Sequence, residues 1–319
     1  MENLNTTQRQ YHLSFHGTGS EYFGVIIVNW LLTILTLGLY YPWAKSKELK
    51  YLYGSTELNN DRFEFHGTGK EMFKGFIKAI LIFACIFFIF FLLIYIKKPM
   101  FGLIFFYLSI FAIMPLAIHG AYKYRMSRTS WRGIRFGYRG DRNELIKKFF
   151  TGIFFTIITI GFYSPWFGMN LRNYIISNIK FGDIEFKSDG DGFDYFTLIF
   201  KGYFFTIITL GVYLFWWQKD MFNYYIEHTS LHKGESKINL SSAATGGGFF
   251  QLMIINLLII IFTLGLGYSW AVTRTMKYIT SIIQLEGDID LDSLNQTEDN
   301  FKDATGEDMN DIIDNDFII

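Results

Sequence analysis

Thr36-Leu-Gly-Leu-Tyr-Tyr-Pro-Trp43 closes a long apolar run and opens a more polar one. Variants of the phrase stand at Thr159-Ile-Gly-Phe-Tyr-Ser-Pro-Trp166, Thr209-Leu-Gly-Val-Tyr-Leu-Phe-Trp216 and Thr263-Leu-Gly-Leu-Gly-Tyr-Ser-Trp270. Tyrosine and tryptophan favour the membrane–water interface, where the ring is half buried and its polar edge is wet. The phrase therefore predicts a membrane boundary, with Tyr40, Trp43, Tyr163, Trp166, Tyr213, Trp216, Tyr268 and Trp270 forming an interface belt. Its recurrence predicts internal duplication.

The sequence between the phrases agrees with this. Half of the 319 residues are hydrophobic, with 36 Phe and 20 Tyr. Apolar runs long enough to span a hydrocarbon core cover residues 22–41, 76–96, 101–119, 149–167, 197–217 and 249–268. Lys97-Lys-Pro-Met100 joins the second and third into a helical hairpin. Lys+Arg and Asp+Glu balance at 29 each, which gives no sign of nucleic-acid binding. Cys85 is the sole cysteine, so no intramolecular disulfide forms. Residues 1–10 are polar and lack an apolar h-region, so no cleavable signal peptide is expected ahead of the first run.

Short alternating stretches follow the polar segments: Asn60-Asp-Arg-Phe63-Glu-Phe65, Arg132-Gly-Ile134-Arg-Phe136, Gly182-Asp-Ile184-Glu-Phe186, Ser236-Lys-Ile238-Asn-Leu240 and Gly287-Asp-Ile289-Asp-Leu291, with Leu13-Ser-Phe15 as a sixth. Alternation after turn residues predicts short strands with one apolar face. Phe15 to Phe65, Phe136 to Phe186 and Gly161 to Gly211 are each 50 residues apart, from the residue numbers. The expected unit is strand, glycine turn, span, aromatic phrase and polar helix. Five such units cover residues 13–62, 63–133, 134–183, 184–237 and 238–291 of a single membrane domain, residues 1–291. The acidic remainder, 292–319, is expected to be disordered.

These readings predict an all-α integral membrane bundle of about six spans, with short β-strand elements between repeats. If every run crosses once, the units alternate in orientation, as in inverted-repeat transporters. The nine Lys/Arg residues of 123–148 then face the cytoplasm and both termini lie outside. A shared sheet would instead require every strand to lie on one side. Alternation is the expectation adopted, because re-entrant helices of this length are uncommon.

Phe15-His-Gly-Thr-Gly-Ser-Glu-Tyr-Phe23, Asn29-Trp-Leu-Leu-Thr-Ile-Leu-Thr-Leu-Gly-Leu-Tyr-Tyr-Pro-Trp-Ala44 and Lys50-Tyr-Leu-Tyr53 resemble the YjgN family, bacterial inner-membrane proteins grouped under a domain of unknown function. The similarity continues more weakly through the glycine turns to Gly287-Asp-Ile-Asp-Leu-Asp292. The resemblance implies a multi-pass protein of the bacterial inner membrane and supplies no catalytic residue, substrate or cofactor.

Candidate sites are sparse. His16 and His66 fill one slot in two copies of Phe-His-Gly-Thr-Gly, but the other copies carry Gly137 and Lys187. A hydrogen bond to the turn is the simpler role than a metal or proton site. Gly17, Gly19, Gly67 and Gly69 suit a turn that needs positive φ rather than a phosphate loop, since no Lys-Ser/Thr follows. Asn29 and Asn256 stand seven residues before Thr36 and Thr263, so each pair shares one helix face and suits helix packing or a polar path. No Asp or Glu lies deep in a run, and no metal or nucleophile set is present, so no enzyme activity and no cofactor are expected. Membrane lipids are the expected partners, with basic segments on anionic headgroups. A transporter or channel-like role fits the repeats. A structural or assembly role without transport fits the missing deep charges.

Overall fold

The computed structural model describes residues 9–296. After β1 (Arg9–Tyr11), the order strand, helix, helix, strand occurs five times. The first round is β2 (Leu13–Phe15), α1 (Gly19–Leu35), α2 (Tyr41–Gly54) and β3 (Thr56–Leu58). The second is β4 (Asp61–Phe65), α3 (Gly69–Tyr95), α4 (Pro99–Ser127) and β5 (Thr129–Trp131). The third is β6 (Ile134–Tyr138), α5 (Arg142–Ile158), α6 (Ser164–Ser177) and β7 (Ile179–Phe181). The fourth is β8 (Ile184–Ser188), α7 (Gly192–Ile208), α8 (Leu214–Glu227) and β9 (Thr229–Lys233). The fifth is β10 (Ser236–Ser242), α9 (Gly246–Phe262), α10 (Tyr268–Ile282) and β11 (Ile283–Gly287).

All these strands join one antiparallel sheet in the order β1-β11-β10-β9-β8-β7-β6-β5-β4-β3-β2. β1 and β2 flank His12, whose carbonyl accepts from the Asn59 N–H at 2.9 Å. The sheet is therefore a nearly closed barrel. Alternate residues point inward. Trp131, Ile184 and Ile238 are almost wholly buried there with Tyr11, Phe181 and Leu285. On the outer face Lys180 Nζ meets Glu185 Oε1 at 2.7 Å. The interior is thus a packed apolar core. Tight turns such as Asn59-Asn60 and Arg132-Gly133, with positive φ, join strands at one mouth, so every helical hairpin leaves from the other. The hairpins form a ring around that mouth, closed where α10 packs on α1.

The turn-side mouth is covered by the segment after β11. Ile289 and Leu291 join the barrel core, Arg9 Nη1 meets Asp290 Oδ1 at 2.7 Å, and Lys233 Nζ donates to the Ser293 carbonyl at 2.9 Å. Arg132 pairs with both Asp61 and Asp292.

This architecture corrects three expectations. The all-α bundle of six spans is replaced by a β-barrel carrying helical hairpins, and among the described residues only α3 and α4 are long and apolar enough to cross a membrane. Four of the apolar runs break at the Thr-x-Gly phrase into two helices, which returns the chain to the sheet and removes the alternating orientation. Residues 288–291 leave the sheet instead of forming a strand, because β11 ends at Gly287. Of the acidic tail, residues 292–296 begin with the end of a 3-10 turn (Leu291–Ser293), and the Gln296 amide accepts from the Arg135 N–H at 2.9 Å. Residues 297–319 lie outside the described residues.

Candidate membrane interface

The phrase that reads as a boundary is a hairpin tip. Leu37, Ile160, Leu210 and Leu264 have φ near +50°, and the glycine after each has φ between 90° and 95°. The glycine suits this left-handed end of a helix. The preceding Thr completes the turn. The Thr36 Oγ1 donates to the Leu32 carbonyl at 2.7 Å and accepts from the Tyr40 N–H at 3.0 Å. Thr159, Thr209 and Thr263 do the same between Phe155 and Tyr163, Phe205 and Tyr213, and Ile259 and Gly267.

Backbone bonds satisfy the rest. In the first tip, the N–H groups of Thr36, Leu37, Gly38, Leu39 and Tyr41 donate to the carbonyls of Leu32, Ile34, Thr33, Thr36 and Gly38. Every N–H from 36 to 41 is therefore bonded within the tip, and the other three tips repeat the pattern. A turn exposed to water does not need this, whereas a turn in hydrocarbon does. The side chains agree, because Leu37, Ile160, Leu210 and Leu264 are 92–95% exposed at the apices.

The belt tryptophans sit at the seams between hairpins. A Cβ on Gly69 would lie 2.3 Å from Trp43, one on Gly192 2.2 Å from Trp166, one on Gly246 2.3 Å from Trp216, and one on Gly19 2.3 Å from Trp270. Each ring thus covers the glycine that opens the next hairpin, and Trp270 closes the ring on the first. Tyr40 and Tyr163 stack beside Trp43 and Trp166, Tyr213 packs on Phe205, and Tyr268 lies beside Trp30. Gly17 and Gly67 lie against the rings of Phe15 and Phe65. None of Gly17, Gly19, Gly67 and Gly69 has positive φ, so close approach accounts for these glycines rather than turn handedness. Thr18 and Thr68 cap α1 and α3, accepting from the N–H groups of Glu21 and Glu71.

Asn29 and Asn256 each bond across their own hairpin. Asn29 Nδ2 donates to the Ala44 carbonyl at 3.3 Å, and Asn256 Nδ2 to Thr275 Oγ1 at 2.8 Å. The middle hairpins have Gly152 and Gly202 in this slot, where a Cβ would lie 2.0 Å from Phe167 and 2.3 Å from Trp217. Ala44 and Ala271 occupy the positions of those rings. Asn with Ala and Gly with an aromatic are two fillings of one space. The inverse pattern at two separated positions was the available signal. Thr36 and Thr263 lie at the tips, and their hydroxyls bond tip backbone, not the asparagine amides.

His16 Nε2 lies 3.0 Å from Ser14 Oγ and 3.4 Å from Glu57, while His66 Nε2 lies 2.7 Å from Ser130 Oγ, both on the outer rim of the barrel. The structure does not bring the two imidazoles together. No group of His, Cys, Asp and Glu that could hold a metal occurs among the described residues.

Comparison with known proteins adds an identity to this geometry. Residues 10–192 and 217–312 match a family described as "Bacterial protein of unknown function (DUF898)". The chain is 36% identical over 129 residues to the "Inner membrane protein YjgN" of Escherichia coli K12, covering 39% of this chain and 30% of that relative. It is 38% identical over 127 residues to the protein of that name from Salmonella typhimurium, covering 40% and 31%. The matched part therefore spans less than a third of either relative. No solved structure matches the chain. With the family match covering most of its length, the chain belongs to the YjgN family, the bacterial proteins of unknown function grouped as DUF898.

Proposed function

We propose that this chain is a bacterial inner-membrane protein that rests its barrel on the cytoplasmic face and pushes four helical hairpins into the adjoining leaflet, while α3 and α4 cross and return. It acts there as a structural or assembly element, not as a transporter or an enzyme. The carrying observation is the set of four apolar tips whose backbone donors are all bonded internally.

Depth follows from the sequence. The first charged residues after the apices Leu37, Ile160, Leu210 and Leu264 are Lys45, Arg172, Lys219 and Arg274. At 1.5 Å per residue the apices reach about 12–18 Å past those charges. Half of a hydrocarbon core is about 15 Å. By contrast α3, with 27 residues, is about 40 Å long and can cross. Burying an apical Leu or Ile contributes about 1.5–3 kcal/mol, so four contribute on the order of 6–12 kcal/mol. The nine Lys/Arg of residues 123–148 favour a cytoplasmic barrel, which puts both described ends inside rather than outside. The similar strand–helix–helix–strand rounds support an origin by duplication.

The transport reading has weaker support. The barrel core is packed, and the cavity beside Asn29 is lined by Glu21, Lys47 and Lys50 without reaching Asn256. The test is reconstitution. Detergent should extract the protein while alkaline carbonate does not, and proteoliposomes should pass small uncharged solutes no faster than empty vesicles. Carbonate extraction refutes the membrane placement, and flux above the empty-vesicle rate refutes the non-transport role.

A further inference from the structure

We propose that the groove between α5 and α6 is a binding site for a glycerophospholipid with an anionic headgroup. This rests on the membrane reading above and goes further by naming a ligand class and a single location. A cavity of about 550 Å³ lies between the two helices, lined by Glu144, Lys147, Lys148, Thr151, Tyr163 and Asn170 among others. Lys148 meets Glu144 at 3.5 Å and sits over the Tyr174 ring at 5.3 Å, whereas Lys147 pairs with no described residue. One cation is thus partly neutralised and held, and the other is free to meet an anion.

Thr151 also borders a second, open furrow of about 640 Å³ whose other walls are Phe150, Ile153, Phe154, Phe155 and Ile157. The two spaces share Thr151: along α5 the first takes residues 144–152, including both lysines, and the second residues 150–157, apolar apart from Thr151. That is the division within a phospholipid. The depth agrees too. From Lys147 to the apex Ile160 is about 20 Å at 1.5 Å per residue, and half a bilayer including headgroups is about 20–22 Å. A phosphate at Lys147 and Lys148 therefore leaves its acyl chain beside Phe154 and Ile157.

The corresponding groove between α7 and α8 has the opposite electrostatics. Lys201 there is outnumbered by Asp194, Asp220 and Glu227. The groove between α1 and α2 has the same balance of charge, Lys47 and Lys50 with Glu21, but is bordered by Val25 and Val28 instead of aromatic side chains. Among the described cavities, two lysines share a wall residue with an aromatic furrow at α5 and α6.

The test uses the whole chain in mixed vesicles, followed by mild detergent extraction and native mass spectrometry of retained lipid. Phosphatidylglycerol should be retained over phosphatidylcholine. Lys147→Gln with Lys148→Gln should weaken that retention on the order of tenfold, the Arg pair should restore it, and Lys201→Gln should leave it unchanged. Phe154→Ala with Ile157→Ala should weaken it without altering the charge. Inorganic phosphate and glycerol 3-phosphate, supplied as competitors, should not displace the lipid. Equal retention of both lipids, or unchanged retention in the Gln pair, overturns the proposal, and efficient displacement by inorganic phosphate reassigns the groove to a free anion. Carbonate resistance of every variant separates these results from a failure of the membrane reading.

Discussion

Replacing Thr209 with Val tests whether the tips lie in hydrocarbon. The two side chains are nearly the same size, so the change removes only a hydroxyl. That hydroxyl donates to the Phe205 carbonyl at 2.7 Å and accepts from the Tyr213 N–H at 2.8 Å. In water the freed N–H takes a solvent partner, and the cost is that of a surface substitution, within about 0.5 kcal/mol. Without water the N–H is left unpaired, which costs about 1–3 kcal/mol. The four tips belong to separate hairpins, so the effects should add, giving about 4–12 kcal/mol for Thr36, Thr159, Thr209 and Thr263 changed together. Reversible unfolding in bicelles, followed by tryptophan fluorescence against a rising mole fraction of SDS, measures the loss. Serine at the same positions keeps the hydroxyl and should restore most of it. A quadruple valine variant as stable as the parent would refute the placement of the tips.

Other outcomes follow from the packing and the charges. Gly202→Ala puts a Cβ 2.3 Å from Trp217 and should destabilise by about 1–3 kcal/mol, read in the same unfolding assay; a neutral result would mean the ring moves freely. Ala44→Phe alone should clash with Asn29, while Asn29→Gly with Ala44→Phe should recreate the Gly152–Phe167 filling, with a favourable coupling of about 0.5–3 kcal/mol in a double-mutant cycle. The carboxylates of Asp288 and Asp290 are held below their ordinary values, Asp288 chiefly by the Lys237 N–H and Asp290 chiefly by the Asp292 N–H and then Arg9. Depressed values stabilise the charged, folded form, so their contribution is complete above about pH 4 and disappears as the pH falls through the lowered values. Protection of the β11 amides against hydrogen exchange, taken relative to the intrinsic rate at each pH, should therefore fall at acid pH, more in the parent than in Asp288→Asn, and equal acid sensitivity would count against the cap.

The sequence carries much of the local structure. The alternation at Phe63-Glu-Phe65 and its counterparts is visible, as are the hairpin at Lys97-Lys-Pro-Met100 and the recurrence of the Thr-x-Gly phrase. Whether an apolar run crosses is not visible from its length, because α1 plus its turn is as long as a span. The deciding residue is Gly38, which follows α1 in a left-handed turn so that Tyr40 caps the returning helix and Trp43 lies on it. Strands such as β3 and β7 have three residues each and are too short to show alternation. Closure of the barrel depends on β1 meeting β11, 276 residues from Gln10 to Glu286, which no local pattern specifies. The Asn29 slot was recognisable as a packing position, but its partner Ala44 becomes meaningful only once Phe167 and Trp217 are seen to fill the same space.

The most direct test of the whole account is the depth and sidedness of single spin labels in proteoliposomes, in a Cys85→Ala background. Labels at Leu37, Ile160, Leu210 and Leu264 should be relaxed by oxygen and shielded from a water-soluble nickel complex, all at a similar depth near the bilayer centre. Labels at Asn59 and Glu235, in the turns of the barrel mouth, should meet the nickel complex from one and the same side. Nickel access at the tips equal to that at the turns, or turns reached from opposite sides, would contradict a barrel on one face with its hairpins in the leaflet.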